Sequence, residues 1–132
     1  MIATCVTGAA AGGGPLDVQY QYTNSTGIDR SLYSLTLVWP WPQPNMLTSV
    51  DWGGMITVQV WAGVMGGSPL TIPNGDPGWT GASRVITNGT SRTLRLDFGF
   101  PVAAGDYILT TQWDDTLGGN LCTSAPVTVT HP

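Results

Sequence analysis

Residues 16–23 have the sequence Leu-Asp-Val-Gln-Tyr-Gln-Tyr-Thr, and this stretch decides the fold class. Leucine, valine and two tyrosines stand at every second position, with polar side chains between them. Because successive side chains of a β-strand point to opposite faces of a sheet, the alternation predicts a strand with Leu16, Val18, Tyr20 and Tyr22 on its buried face.

Similar short segments recur along the chain between clusters of Gly, Pro, Asn and Asp. They are residues 2–7, 34–39, 47–52, 55–61, 83–86, 92–100, 106–113 and 127–130. In residues 92–100 the alternation places Leu94, Leu96, Phe98 and Phe100 on the face that is expected to be buried. The pattern predicts an all-β fold: a two-sheet Ig-like or jelly-roll type sandwich of about seven to nine antiparallel strands with long Gly/Pro-rich loops.

The connections between these segments carry recognisable turn and loop signals. Gly53-Gly54 suits a two-residue turn and predicts a hairpin of residues 47–52 with 55–61. Residues 40–44 contain three prolines, and the chain is expected to leave the sheet there because proline has no N–H to donate. Residues 62–81 are rich in Gly and Pro and are predicted to form a long surface loop.

The length of 132 residues suits one domain, so residues 1–132 are expected to fold as a single β-sandwich. Within it, residues 1–15 are predicted to be an N-terminal strand followed by a flexible Gly-rich linker. The linker is expected over residues 8–15, which combine three alanines with four glycines and specify no packing.

Charge is scarce: only 9% of the residues are charged, against roughly a quarter in ordinary soluble proteins. There is no Lys and no Glu, and eight Asp with four scattered Arg give a net charge of -4. Since nucleic-acid binding needs a basic patch, no nucleic-acid partner is expected. No apolar run is long enough to span a membrane. A surface so poor in charge suggests an extracellular or cell-surface protein covered by neighbouring subunits or glycans, and hence a homo-oligomer or filament.

Two cysteines, Cys5 and Cys122, stand near opposite ends of the sequence. A bridge between them would enclose almost the whole chain and is predicted to be a structural disulfide, which fits an oxidising, extracellular environment. The alternative is a pair of buried free thiols.

Several short motifs resemble those of a bacterial secreted β-sandwich module found in pilus-like and cell-surface proteins. They are Trp39-Pro40, Gly53-Gly54, Trp61-Ala62-Gly63, Trp79-Thr80-Gly81, the strand Leu94–Phe100, and the strand Gly105–Trp113 followed by Cys122. The resemblance covers roughly residues 16–122. It implies a surface-exposed, pilus-like role and leaves open assembly through strands.

The sequence contains few candidate catalytic residues, and neither enzymatic activity nor a cofactor is predicted. The one imidazole is His131, next to last in the chain, so a Ser or Cys nucleophile has no evident base. Zinc is not expected, because Cys5, Cys122 and His131 are too few ligands. Asp114 and Asp115 form a weak calcium candidate; the alternative interpretation is a solvated turn.

Six tryptophans are many for a chain of 132 residues. Trp41, Trp61 and Trp79 lie in or beside Pro/Gly loops, where exposed rings could stack on sugars. The alternative is that these three anchor their loops while Trp39, Trp52 and Trp113 fill the core.

Two sequences match the N-glycosylation acceptor pattern, at Asn24 and Asn88. Both lie in predicted turns, where a glycan would be accessible.

The N-terminal strand suggests a mode of assembly. It comprises Ile2, Ala3, Thr4, Cys5, Val6 and Thr7, and its tether could let it pair with the sheet of another subunit. The alternative is an edge strand within one monomer. We therefore expect an extracellular structural or adhesive surface protein, self-assembling into a pilus-like filament by strand exchange. A carbohydrate-binding module is the first alternative, and a viral capsid or decoration protein with reduced cysteines is the second.

Overall fold

The computed structural model describes residues 4–41, 45–53 and 57–132, and in these residues it contains eleven β-strands. They are β1 (Thr7–Gly12), β2 (Asp17–Thr23), β3 (Arg30–Val38), β4 (Leu47–Trp52), β5 (Val58–Met65), β6 (Leu70–Ile72), β7 (Val85–Ile86), β8 (Ser91–Phe98), β9 (Gly105–Asp115), β10 (Cys122–Thr123) and β11 (Val127–His131). Over the ranges described, no helix could cross a membrane.

The strands form two antiparallel sheets. One sheet has the order β1-β2-β8-β4-β5, and the other has the order β10-β9-β3-β6, with β11 paired to β9 and β7 paired to β3. The predicted all-β two-sheet sandwich is confirmed. It has two strands more than the nine predicted, because β6 and β10 have only three and two residues, too few for a clear alternation.

The core lies between the sheets and is built from the alternating residues of the long strands. Trp52 and Trp113, both fully buried, stack with ring centroids 6.4 Å apart, and Tyr22 packs against Trp113 at 5.4 Å. The Tyr20 hydroxyl satisfies its hydrogen-bonding capacity by donating to the Tyr107 carbonyl oxygen at 2.6 Å. Trp39 is also buried, so the three tryptophans predicted for the core lie there.

The predicted pairing of the two segments is present as β4 and β5, which pair antiparallel. The predicted two-residue turn is wrong, because Trp52 pairs with Val58 and five residues therefore separate the strands. The second strand begins at Val58; the predicted start at Met55 lies outside the described residues.

The prediction of one long loop over residues 62–81 is wrong. β5 continues to Met65, and β6 pairs with β3. The segment 78–80 then adds to the edge of β5: the Ala62 N–H donates to the Gly78 carbonyl oxygen at 3.0 Å, and the Thr80 N–H donates to the Val60 carbonyl oxygen at 2.9 Å. The Gly and Pro residues hid these pairings because they weaken a strand pattern without preventing backbone hydrogen bonds.

The N-terminal prediction also needs correction. The strand lies over Thr7–Gly12, so all of it except Thr7 falls among the residues that were expected to be a flexible linker, and it pairs with β2 of the same chain. Ile2 and Ala3 lie outside the described residues. The small residues serve packing here, since a Cβ on Gly8 would lie 2.6 Å from Tyr22 Cε1 and 2.7 Å from Val127 Cγ2.

We expect Gly8→Val to destabilise the fold by about 1–3 kcal/mol, because the buried side chains of Tyr22 and Val127 must move to admit the new side chain. Ala9→Val, at an exposed position of the same strand, is the matched control and should change stability by less than about 0.5 kcal/mol. Urea unfolding of both variants measures the difference. Equal stability of the two variants would restore the linker interpretation.

Candidate functional site

One end of the sandwich is formed by four loops without a charged residue in their sequences. The described residues of these loops, 12–16, 39–41, 45–46, 66–69 and 99–104, meet there, where β2, β4, β6 and β9 begin and β3, β5 and β8 end. We call the exposed residues Leu16, Trp41, Met46 and Phe100 of these loops the apolar end. Their exposed fractions are 48%, 37%, 36% and 62%, in that order.

Two residues of the apolar end were predicted to be buried. Leu16 and Phe100 continue the alternation of β2 and β8, but the strands begin at Asp17 and end at Phe98. Sequence alternation does not reveal where the neighbouring sheet stops covering a strand. Exposed Val38 and Val64 lie near the same end, at the last part of β3 and β5.

The apolar end is held in place by buried groups beneath it. The Asn45 side chain is almost fully buried: its Nδ2 donates to the Phe100 carbonyl oxygen at 2.9 Å, and its Oδ1 accepts from the Phe100 N–H at 3.0 Å. The Trp41 ring packs on Trp39, with centroids 5.4 Å apart. Trp39 is fixed in turn by donating from Nε1 to the Gly67 carbonyl oxygen at 2.6 Å. These contacts fix the backbone at Phe100 and the position of the Trp41 ring.

At the opposite end of the sandwich the turns after β9 and before β3 border an open hollow of about 500 Å³. Ile28 and Leu117 line it, and their exposed fractions are 40% and 96%. Asn88 Oδ1 accepts the Gly27 N–H at 2.9 Å across the hollow. We call Ile28, Leu117 and this hollow the hollow end.

The calcium candidate lies beside the hollow end, where Asp114 supports the turn. Asp114 Oδ1 accepts the backbone N–H groups of Asn120 at 2.8 Å and Asp115 at 2.9 Å, and Oδ2 accepts that of Gly119 at 3.3 Å. These hydrogen bonds, that from Asn120 foremost, lower the pKa of Asp114. No group of three or more metal-ligating side chains is found among the residues with described placement. The arrangement fits a capped turn.

The three loop tryptophans do not form a common platform. Trp61 is buried and donates from Nε1 to Asp76 Oδ2 at 2.8 Å. Trp79 is half-buried, with the Arg84 guanidinium 4.1 Å above its ring and Nε1 donating to the Pro73 carbonyl oxygen. Of these three tryptophans, Trp41 alone is exposed. Trp61 and Trp79 therefore follow the loop-anchor interpretation.

The two predicted glycosylation sites differ in accessibility. Asn24 is fully buried, and its Nδ2 donates to the carbonyl oxygens of Ile28 and Ile86, both at 2.8 Å. A glycan on that nitrogen is incompatible with this fold, so the expectation for Asn24 is wrong. Asn88 is exposed and keeps an accessible position.

The segment predicted to be donated to another subunit is fastened to its own chain. Cys5 and Cys122 form the predicted disulfide. Val6 is buried, and its carbonyl oxygen accepts the Ser124 hydroxyl. With β1 paired to β2, the described part of residues 2–7 follows the alternative of a segment held within one monomer.

A cluster of charges on the five-stranded sheet was not foreseen from the sequence. The Arg95 guanidinium lies 3.0 Å from Asp51, 3.2 Å from Asp97 and 3.7 Å from Asp17. Burial, a hydrogen bond with Asp51 and the Asp51 charge raise the pKa of Asp97 to about 7. The pKa of Asp51 is lowered: burial opposes this, but hydrogen bonds from Asp97, Ser49 and Arg95 outweigh it.

The cluster resembles a catalytic carboxylate pair only in that the pKa of one carboxyl group is raised and that of its neighbour is lowered. Asp17, Arg95 and Asp97 alternate along β2 and β8 with the buried residues Val18 and Leu96, and Asp51 of β4 pairs with Arg95, so the cluster lies on the outer face of a sheet. One arginine partly neutralises the charge of three carboxylates. We interpret this arrangement as an ion-pair network with a structural role. His131 Nε2 lies 3.4 Å from the carbonyl oxygen of Gly14, whose N–H donates to Asp17 Oδ1.

Comparison with known proteins finds little similarity. No family model matches the chain, and no curated protein matches it. Among solved structures it is similar to that of AvmM, which catalyzes macrocyclization in alchivemycin A biosynthesis. The alignment covers 99% of this chain and 92% of that chain at 8% sequence identity, with a TM-score of 0.40. This likeness is too distant to bear on function.

Proposed function

We propose that the protein is an extracellular structural or adhesive module, without catalytic activity, that works by associating with copies of itself in a pilus-like filament at a cell surface. The apolar end carries this proposal. Exposed Trp, Phe and Met side chains are enriched in the buried centres of protein interfaces, and charged residues are depleted there. The apolar end has both properties.

Rigid presentation supports an interface in particular. A surface side chain that is already ordered loses less conformational entropy when it is covered. Asn45 fixes the backbone of Phe100 by two hydrogen bonds, and the Trp41 ring packs on Trp39, so both positions are ordered before a partner covers them. Exposed rings at ordered positions are unfavourable for an isolated domain and favour burial against a partner.

The extracellular location rests on the disulfide and the surface composition. The bridge joins residues 117 apart in sequence, and such bridges persist in oxidising compartments. The capsid or decoration alternative would have been favoured by free thiols, and no described cysteine is free. The carbohydrate-binding alternative would use a platform of loop tryptophans, and the structure supplies one exposed ring of the three.

The first test is negative-stain electron microscopy and sedimentation velocity of the purified protein. We expect fibres or large particles, dispersed by Phe100→Asp because burial of a charge without a partner is unfavourable. Thr128→Asp, an equal change of charge at an exposed position of β11, should leave assembly intact. A protein that remains monomeric at its highest attainable concentration contradicts the proposal, as would dispersal of particles by both variants alike.

A further inference from the structure

We propose that assembly is head to tail: the apolar end of one copy docks on the hollow end of the next. This inference rests on the proposed function and adds to it the second half of the contact. Both halves lie on the same chain, so no other protein is needed to complete the interface.

The distribution of exposed apolar side chains is the first observation. Among the described residues nine large hydrophobic side chains are exposed, and they lie near the two ends of the sandwich. Near the apolar end they are Leu16, Val38, Trp41, Met46, Val64 and Phe100, and near the hollow end they are Ile28, Leu117 and Leu121. An ordinary surface scatters such residues singly. Concentration at two poles indicates two contact surfaces.

The two poles also differ in shape. The apolar end projects rings from loops, whereas the hollow end is a depression of about 500 Å³ that is open to solvent. The ring of Phe100 is small enough to lie in this depression. Ile28 and Leu117 border it with exposed apolar surface that the ring would cover. Projection on one pole and concavity on the other favour contact between unlike ends.

Charge favours the same arrangement. Asp29 and Asp115 stand at the hollow, and the chain as a whole carries a net charge of -4. Two hollow ends would therefore repel each other, because like charges brought together in an interface are unfavourable. The loops of the apolar end contain no carboxylate. They can cover the hollow end without bringing further negative charge to it.

Placement at opposite poles determines the form of the assembly. β9 alone has eleven residues and runs from the apolar end to the hollow end, about 35 Å. A contact between unlike surfaces that far apart leaves one of each kind free after every addition. It continues into an open filament, as contacts between unlike surfaces do when they do not close into a ring.

The inference also assigns a consequence to Asn88, which lines the hollow. A glycan on this residue would occupy the space into which the neighbouring ring docks. Assembly thus requires that Asn88 carries no glycan.

The test uses two variants that each lose one pole. Phe100→Asp removes the apolar end and keeps the hollow end, and Leu117→Asp does the reverse. Alone, each is expected to sediment as a monomer. Mixed in equal amounts, they should form a species of twice the monomer mass and nothing larger, because one intact contact joins each pair and no free pair of ends remains.

A second pair, Met46→Asp and Ile28→Asp, repeats the test at other positions, and cooperative unfolding of each variant shows that it is folded. If Leu117→Asp still dimerises alone, or if the mixtures stay monomeric while the unmodified protein assembles, the head-to-tail contact is wrong and the proposed function survives. If the unmodified protein does not assemble, both are wrong.

Discussion

Loss of the disulfide, in Cys5→Ala/Cys122→Ala, is expected to lower the free energy of unfolding by about 4 kcal/mol. The bridge closes a loop of nearly the whole chain, with a sequence separation of 117 residues, and so removes much of the conformational freedom of the unfolded state. For a domain of 132 residues this corresponds to a fall in melting temperature of roughly 15 °C. Thermal and urea unfolding of the two proteins give the value.

Reduction provides an internal control for this prediction. A thiol reductant should bring the unmodified protein to the stability of the double variant, and it should leave the double variant unchanged.

The structure also predicts that loss of order in the unbridged protein begins at β10. β10 has two residues, which pair with Trp113 and Gln112, and the bridge fastens it to the N-terminal segment. A difference below about 1 kcal/mol between bridged and unbridged forms would show that the ends are held by packing instead.

The alternation of residues in long strands was sufficient to predict the sandwich. Tyr20, Leu94 and Leu96 are buried where the period of two places them. The pattern failed at strand ends, since Leu16 and Phe100 keep the same period but extend past the facing sheet. These failures are informative: residues that the pattern assigns to the core, but that the fold exposes, now define the apolar end.

Contacts between distant parts of the chain were beyond prediction from the sequence. Asp17, Asp51 and Asp97 meet at Arg95 because β2 and β4 both pair with β8, and no local motif records that order of strands. Gly8 looked like part of a linker because glycine specifies no packing by itself. Its role depends on Tyr22 and Val127, which reach it from two other strands.

The contacts of the loop tryptophans were likewise beyond prediction from the sequence. Loss of one of them, Trp61, is expected to have the second large effect on stability. Trp61→Ala is expected to cost about 3–5 kcal/mol, the range for truncating a buried ring. The indole is 2% exposed and donates to Asp76, and a Cβ on Gly78 would lie 2.3 Å from its Nε1. Removing the ring leaves a cavity and releases the segment that covers the edge of β5. Urea unfolding measures the loss.

Two further substitutions show which part of Trp61 matters. Trp61→Phe keeps most of the apolar surface and removes the N–H, so it should cost much less, about 1 kcal/mol for the hydrogen bond plus some packing. Asp76 then still accepts the Gly78 N–H at 2.9 Å. Trp41→Ala, at a ring 37% exposed, should cost less than Trp61→Ala and should weaken self-association, which Trp61→Phe should not. Equal destabilisation by the two alanine variants would mean that residues 76–80 are not held by Trp61. If Trp41→Ala weakens sugar binding and leaves assembly unchanged, the Trp41 ring binds carbohydrate instead.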